Sequence, residues 1–568
     1  MTADQGSGRV LIASNRGPVS FTRNEDGTLV ARRGAGGLVS GLSSVAGQAE
    51  VLWVCAALSE ADRAAARSAP EGRIDTDLHP DPGAGVPGAG VPGGRADGSA
   101  PGAPAAGGGA DDGRPGSAVR MLDIPAPTFQ RAYNSVANST LWFVHHMLYD
   151  TPNQPSFGLA FRREWESFRA YNAAFATALV QGAGKGRTGG PVRAMIQDYH
   201  LPLVPRMLAG QRPDVRIAHF SHTPWAPPDY YRLLPESVGR EVLDGILGAD
   251  HAGFLCERWA DAFVACCAEF LGAEVDARTR TVRHRGHVTT VGVHALGVDA
   301  GELRDRAAAT DVQAHVAALG TATQGRQLIV RIDRTELSKN IVRGLAAYRE
   351  LLVTHPEWRG RVTHLAFAYP SRHDLPEYRE YTARVQRVAT EIVDEFGTDD
   401  WDPLILQVND DYPRSLAAYQ LADVLLVNPI RDGMNLVAKE GPILAQRGCA
   451  LVLSTEAGAA AELGPNAVLV NPFDVTQTAE ALHQALTMPD AERNRRRAAL
   501  AEAGAALPPT AWFQAQLDAL GQAGTPPPDG TDGARGSDST DGRRRSFHAL
   551  RAHIPGRIAR RRGRDRDT

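Results

Sequence analysis

The residues best suited to chemistry lie in Arg431-Asp-Gly-Met-Asn-Leu-Val-Ala-Lys-Glu440. Two carboxylates, Asp432 and Glu440, flank a segment that reads as glycine turn, then helix start at Met434 to Leu436. A helix start offers unpaired N–H groups and the positive end of a dipole. Such a set suits a ligand with a phosphate in the middle and hydroxyl-rich rings at both ends; the alternative is an ordinary strand-to-helix connection with solvated acids. Two more polar residues follow apolar runs: Asp198 in Gln197-Asp-Tyr-His-Leu201, and His222 in Ser221-His-Thr-Pro-Trp-Ala-Pro227. Open α/β sheets bind ligands at such strand ends, although a single residue of either type is more often a cap or a satisfied surface group. The glycine-rich run Arg33-Gly-Ala-Gly-Gly-Leu38 makes turns, and would also let backbone approach a phosphate.

The elements that must position these groups are legible as apolar runs. In the first half they are Arg9 to Ala13, Val192 to Ile196 and Val215 to Phe220, with an amphipathic helix over Phe161 to Val180. In the second half they are Gln327 to Ile332, Val362 to Ala368, Leu404 to Val408, Asp423 to Val427, Ala450 to Leu453 and Ala467 to Val470. Helical stretches alternate with them, which predicts parallel sheets covered on both faces. The fold class expected is α/β, with two doubly wound Rossmann-like domains facing each other across a cleft. The predicted division is residues 1–300, 301–480, a helical segment 481–520 that packs back on the first domain, and a disordered basic tail 521–568. A Gly/Pro/Ala stretch from about Asp77 to Ser117 reads as a disordered insertion in the first domain.

At 568 residues the chain exceeds one ordinary core. It has no apolar run of membrane-spanning length, and Met1-Thr-Ala-Asp-Gln lacks the features of a signal peptide, so a cytoplasmic protein is expected. Its five cysteines form neither a Cys-x-x-Cys pair nor a zinc-type cluster, and read as buried thiols. From Asp541 on there are ten arginines against three aspartates, so the body is more acidic than the net charge of −4 indicates. That argues against nucleic acid as the main partner. The tail's partner and any homo-oligomeric state stay open.

The glycine loop, Asp-Tyr-His-Leu after Gln197, His-Thr-Pro-Trp after Ser221, Arg334 and Lys339 five apart, and Asp432 to Glu440 occur in an order and spacing that resemble the trehalose-6-phosphate synthases. These are retaining GT-B transferases of glycosyltransferase family 20, and the likeness is to their actinobacterial-type branch. It runs from Arg9 to about Leu520, apart from the insertion. It implies transfer of glucose from a nucleoside diphosphate glucose to glucose 6-phosphate, with no metal and no cofactor. Asp198, His222, Arg334 and Lys339 are implied as catalytic. Gly37, His222, Arg334, Lys339, Leu406, Asp432, Gly433, Met434, Asn435, Leu436 and Glu440 would bind the donor: the two cations take the diphosphate, Glu440 the ribose, and backbone beside Leu406 the base. Arg16, Tyr133, Trp142, Asp198 and Arg372 would bind the acceptor.

The chain departs from the common pattern at two places. Val54-Cys-Ala-Ala57 stands where a second tryptophan is usual, and Arg-Thr-Glu-Leu-Ser-Lys-Asn replaces Arg-Leu-Asp-Tyr-Ser-Lys-Gly. The donor base, UDP-glucose by family default or GDP-glucose, is not specified by these residues. The competing readings are a transferase of the same fold that couples cyclitols, from which Met434 distinguishes this chain, and a silent sugar-phosphate sensor.

Overall fold

The computed structural model describes residues 8–33, 50–75, 117–184, 191–372 and 374–522. The glycine-rich loop from Gly34 on, including Gly37, the insertion up to residue 116 and the basic tail lie outside them. Strands β1 (Arg9–Ala13), β2 (Val19–Arg23), β3 (Leu29–Arg33), β4 (Glu50–Ala56), β5 (Arg73–Asp75), β6 (Ser117–Leu122), β7 (Val192–Gln197), β8 (Arg216–Ser221), β9 (His251–Phe254), β10 (Glu274–Asp276), β11 (Thr281–His284) and β12 (His287–Val293) belong to the first half. The second half contributes β13 (Gln327–Arg334), β14 (Val362–Tyr369), β15 (Leu404–Gln407), β16 (Val424–Val427), β17 (Ala450–Ser454) and β18 (Val468–Val470).

Among the described residues these strands form a ten-stranded sheet, β10-β11-β12-β9-β8-β7-β1-β4-β6-β5, a six-stranded sheet, β15-β14-β13-β16-β17-β18, and the hairpin β2-β3. The six-stranded sheet is parallel throughout. The larger sheet is parallel from β12 to β6, with antiparallel strands only at its edges. Parallel strands need helical crossovers on both faces, so their sequences run apolar without alternation; β16 and β17 are buried along their whole length. In each sheet the order reverses beside a central strand, β1 between β7 and β4, and β13 between β14 and β16. The crevice at the carboxyl ends of those strands is where such folds take ligands.

One local feature was not expected. Residues Arg131–Leu141 wind as a π-helix that continues into the α-helix Trp142–His146. Residues nine apart fall on opposite faces of a 3.6-residue helix, and the wider i to i+5 winding swings Tyr133 and Trp142 back toward one side. Both rings meet the same short loop: Tyr133 stacks on His200 at 5.5 Å, and Trp142 lies 5.6 Å from Tyr199.

The chain crosses between the sheets twice, and the two crossings lie side by side. Gly297 N–H donates to Leu507 O at 2.7 Å, and Val298 N–H donates to Gly504 O at 3.0 Å. A Cβ at Gly297 would stand 2.6 Å from Leu507 O, so only glycine allows this approach. The buried Lys439 ammonium joins them, donating to Leu296 O at 2.8 Å and to Glu462 at 2.6 Å. After the second crossing the helix Pro509–Gln522 packs on the first sheet: Trp512 Nε1 donates to His294 O at 3.0 Å and its ring meets Phe220 edge-on at 4.8 Å. All five cysteines are free and buried. No described helix is long and apolar enough to cross a membrane.

Candidate active site

After β16 the chain turns through Asn428 to Leu436 before the helix Val437–Leu444. The helix therefore starts later than the predicted Met434 to Leu436. Asn435 is the reason: its φ of +75° is incompatible with a right-handed helix, and its Oδ1 instead accepts the Ala438 N–H at 3.3 Å. The N–H groups of Met434, Asn435 and Leu436 meet no acceptor among the described residues, so they are free for a ligand. Gly433, expected as the turn-former, is required for a different reason. A Cβ on it would stand 1.9 Å from the His222 carbonyl oxygen across the crevice. Trp259 Nε1 donates to Gly433 O at 2.9 Å, and Arg431, lying 4.5 Å over the Trp259 ring, donates to Trp225 O at 3.1 Å. The second lobe's turn is thus docked on the first lobe.

β13 delivers Arg334, and the 3₁₀ turn Leu337–Lys339 delivers Lys339. Lys339 Nζ meets Asp432 Oδ2 at 2.6 Å with both side chains largely buried. Burial opposes either charge, but Asp432 and Asp333 raise the lysine above its usual value while Lys339 lowers the aspartate, so the pair is ionised. Arg331, itself buried, bonds Asp333 at 2.9 Å and the Lys339 carbonyl, and so supports this loop from below. Asn340 stands where the resembled pattern has glycine. It takes the left-handed φ of +59° that glycine would, and its amide donates to Asn428 O and Pro472 O.

On the other wall Arg372, at φ +48°, lies 4.1 Å over the Trp142 ring and donates to Tyr378 Oη at 2.6 Å and Tyr199 Oη at 3.2 Å. Glu336, fully buried, pairs with Arg334 at 2.9 Å, accepts from Ser371 at 2.8 Å and sits 4.0 Å from Arg372. Asp198, at φ +74°, accepts the His222 N–H at 3.2 Å and lies 3.7 Å from His200. The His222 ring is 2.9 Å from Gln197 Oε1, and burial pushes its pKa down to about 4, so it is neutral at pH 7.

Burial pushes Asp198 up to about 6, against the hydrogen bonds of Tyr199 and His222 and the charge of Arg372. Between its ordinary value of 3.8 and about 6 the folded protein holds a proton that the unfolded chain has released. This group's contribution to stability is therefore complete below 3.8 and declines as pH rises through that window. Activity that uses the carboxylate runs the opposite way, with kcat/KM falling as pH drops through about 6. A pH profile checks this: an acid limb near 6 is expected in the wild type and absent from the residual activity of Asp198→Asn.

The structure gathers Tyr133, Trp142, Asp198, His222, Arg334, Lys339, Arg372 and Asp432 to Leu436 into one crevice. Glu440 lies farther along its helix, accepting from Tyr419 Oη at 3.0 Å, with burial raising its carboxyl. Leu406 is on the edge strand β15. Arg16 is exposed on the loop after β1, where its carbonyl accepts from Ser14 Oγ at 2.6 Å and no described carboxylate pairs with its guanidinium. Sequence reasoning missed Glu336, Tyr199, Tyr378, Ser371 and His146, whose ring stacks on Trp142 at 3.8 Å. Tyr199 and Ser371 adjoin residues that were named; Glu336 carried no signal beyond lying between two cations. Among the described residues one group has metal-type donors, His355, Glu357 and His483. The two imidazoles stack face to face at 3.7 Å and 9°, so their in-plane lone pairs do not converge on an ion.

Two parallel, doubly wound lobes that meet at a crevice, with Arg334, Lys339, Arg372, Asp198 and Asp432 gathered at the strand ends, have the architecture of a GT-B glycosyltransferase. The chain belongs to glycosyltransferase family 20, whose model matches residues 8–522. It is 30% identical over 508 residues to the alpha,alpha-trehalose-phosphate synthase (UDP-forming) of Schizosaccharomyces pombe, covering 87% of this chain and 86% of that one. It is also 30% identical over 515 residues to the validamine 7-phosphate valienyltransferase of Streptomyces hygroscopicus subsp. jinggangensis, covering 90% and 94%. A solved E. coli structure bound with UDP-2-fluoro glucose shares the fold, with a TM-score of 0.74 at 24% identity over 91% of this chain and 99% of that one.

Proposed function

We propose that the chain transfers glucose, with retention of configuration, from a nucleoside diphosphate glucose to glucose 6-phosphate, giving trehalose 6-phosphate and the nucleoside diphosphate. The observation that carries this reading is the presence of two anion-binding groups in one crevice, Arg334 with Lys339 and, across Glu336, Arg372. As the bond from the anomeric carbon to the diphosphate oxygen breaks, charge grows on the diphosphate. Arg334, Lys339 and the free N–H groups of Met434 to Leu436 stabilise it. Asp432 accepts from the donor sugar's hydroxyls, His222 lies over that sugar, Glu440 takes the ribose, and backbone beside Leu406 takes the base. Tyr133 and Trp142 flank the acceptor ring, Arg372 with Arg16 binds its phosphate, and Asp198 orients its anomeric hydroxyl. The hydroxyl attacks on the face the diphosphate leaves, and its proton passes to the departing diphosphate oxygen, so no enzyme nucleophile is formed.

The relatives' names support the synthase reading, and the equal identity to a valienyltransferase makes cyclitol coupling the rival. Purified protein is incubated with glucose 6-phosphate and UDP-, GDP- or ADP-glucose, with and without a chelator. Trehalose 6-phosphate from UDP- or GDP-glucose, undiminished by the chelator, is expected. No product with any donor overturns the proposal. Glu440→Ala is expected to raise the donor KM about tenfold, the loss of a charged hydrogen bond, with kcat within about threefold. Steady-state kinetics with the donor varied measures it.

A further inference from the structure

Glu336 is fully buried, yet it belongs to neither set of substrate-binding cations. One of its oxygens makes all the contacts: Oε1 is ion-paired with Arg334 Nη1 at 2.9 Å and accepts from Ser371 Oγ at 2.8 Å, and Arg372 Nη1 stands 4.0 Å away. Its other oxygen, Oε2, is buried with no partner among the described residues. Arg334 is half exposed, and Glu336 is its one described side-chain partner. The carboxylate therefore ties the end of β13 and the turn after it, which carry Arg334 and Lys339, to the loop after β14, which carries Ser371 and Arg372. Burial alone would raise its pKa, but the charges of Arg334, Arg372 and Lys339 with the Ser371 hydrogen bond bring it down to about 2, so it is ionised throughout the working range.

We infer that Glu336 is a positioning residue that sets the spacing between the cation serving the diphosphate and the cation serving the acceptor phosphate. This rests on the proposed transfer reaction. The two anions must sit close together for same-face attack, and a carboxylate gripping both loops holds their cations at one separation before either substrate arrives. A simple competitor, in which Glu336 only shields the arginines from phosphate, predicts effects of the opposite sign.

The test is Glu336→Gln, which keeps the volume and an acceptor for Ser371 while removing the charge. Expected are a loss of kcat of at least about tenfold, a raised KM for glucose 6-phosphate and weaker calorimetric binding of inorganic pyrophosphate. Because Glu336 acts through Arg334, the double variant Arg334→Ala with Glu336→Gln should be no slower than Arg334→Ala alone. Glu336→Asp retains the charge and should fall between wild type and Glu336→Gln, and it carries the test if the glutamine variant unfolds. Wild-type kcat in the variants, multiplicative losses in the double variant, or tighter substrate and pyrophosphate binding would overturn the inference. An inactive wild type would instead sink the proposed reaction, and pyrophosphate binding would then decide the role of Glu336.

Discussion

Gly433→Ala is expected to lower kcat/KM by at least about 10²-fold while both sheets stay folded. The added methyl would lie 1.9 Å from the His222 carbonyl oxygen and 3.0 Å from its carbon, and these are backbone atoms that cannot rotate aside. The clash can be relieved only by moving the turn away from the first lobe. That separates Asp432 and the free N–H groups from Asp198 and His222, and strains the bond from Trp259 to Gly433 O. Far-UV circular dichroism should be unchanged, whereas solution scattering should show a larger radius and kinetics a collapse of turnover. Wild-type kcat/KM in this variant would mean that the close docking of the lobes is not used in the reaction.

Arg334→Ala is the second large effect, with a loss of about 10²–10³-fold in kcat and a smaller change in donor KM. The side chain is half exposed with Glu336 as its one described partner, so its value lies in the charge it offers as the diphosphate departs. Lys339 alone does not replace it, because Asp432 at 2.6 Å already balances much of its charge. A donor with a better leaving group should recover part of the lost rate. Unchanged turnover in the variant would remove Arg334 from the leaving-group role.

The parallel sheets were readable because strands buried on both faces have no polar alternation to disguise them, as in Val424–Val427 and Ala450–Ser454. Asp198 and His222 were readable for a related reason: each follows such a run by one residue, behind Gln197 and Ser221 respectively. The π-winding of Arg131–Leu141 was not, since its residues are equally compatible with an α-helix. Nor does sequence reveal that Asp198, Asn340, Arg372 and Asn435 all take positive φ. For Asp198 and Arg372 that conformation is held by surrounding contacts rather than by intrinsic preference. Glu336 was hidden most thoroughly, because a glutamate close to an arginine ordinarily reads as a solvated ion pair, whereas this one is fully buried and bonded to Ser371.

The paired crossings at Gly297–Val298 and Gly504–Leu507 bear on how the crevice works. Two lengths of backbone hydrogen-bonded edge to edge, with Lys439 pinned to Leu296, act as a strap and resist sliding in the plane of the lobes. Any parting of the lobes to admit substrate or release product must bend the chain at these two crossings, so a substitution there is felt at the crevice without touching it.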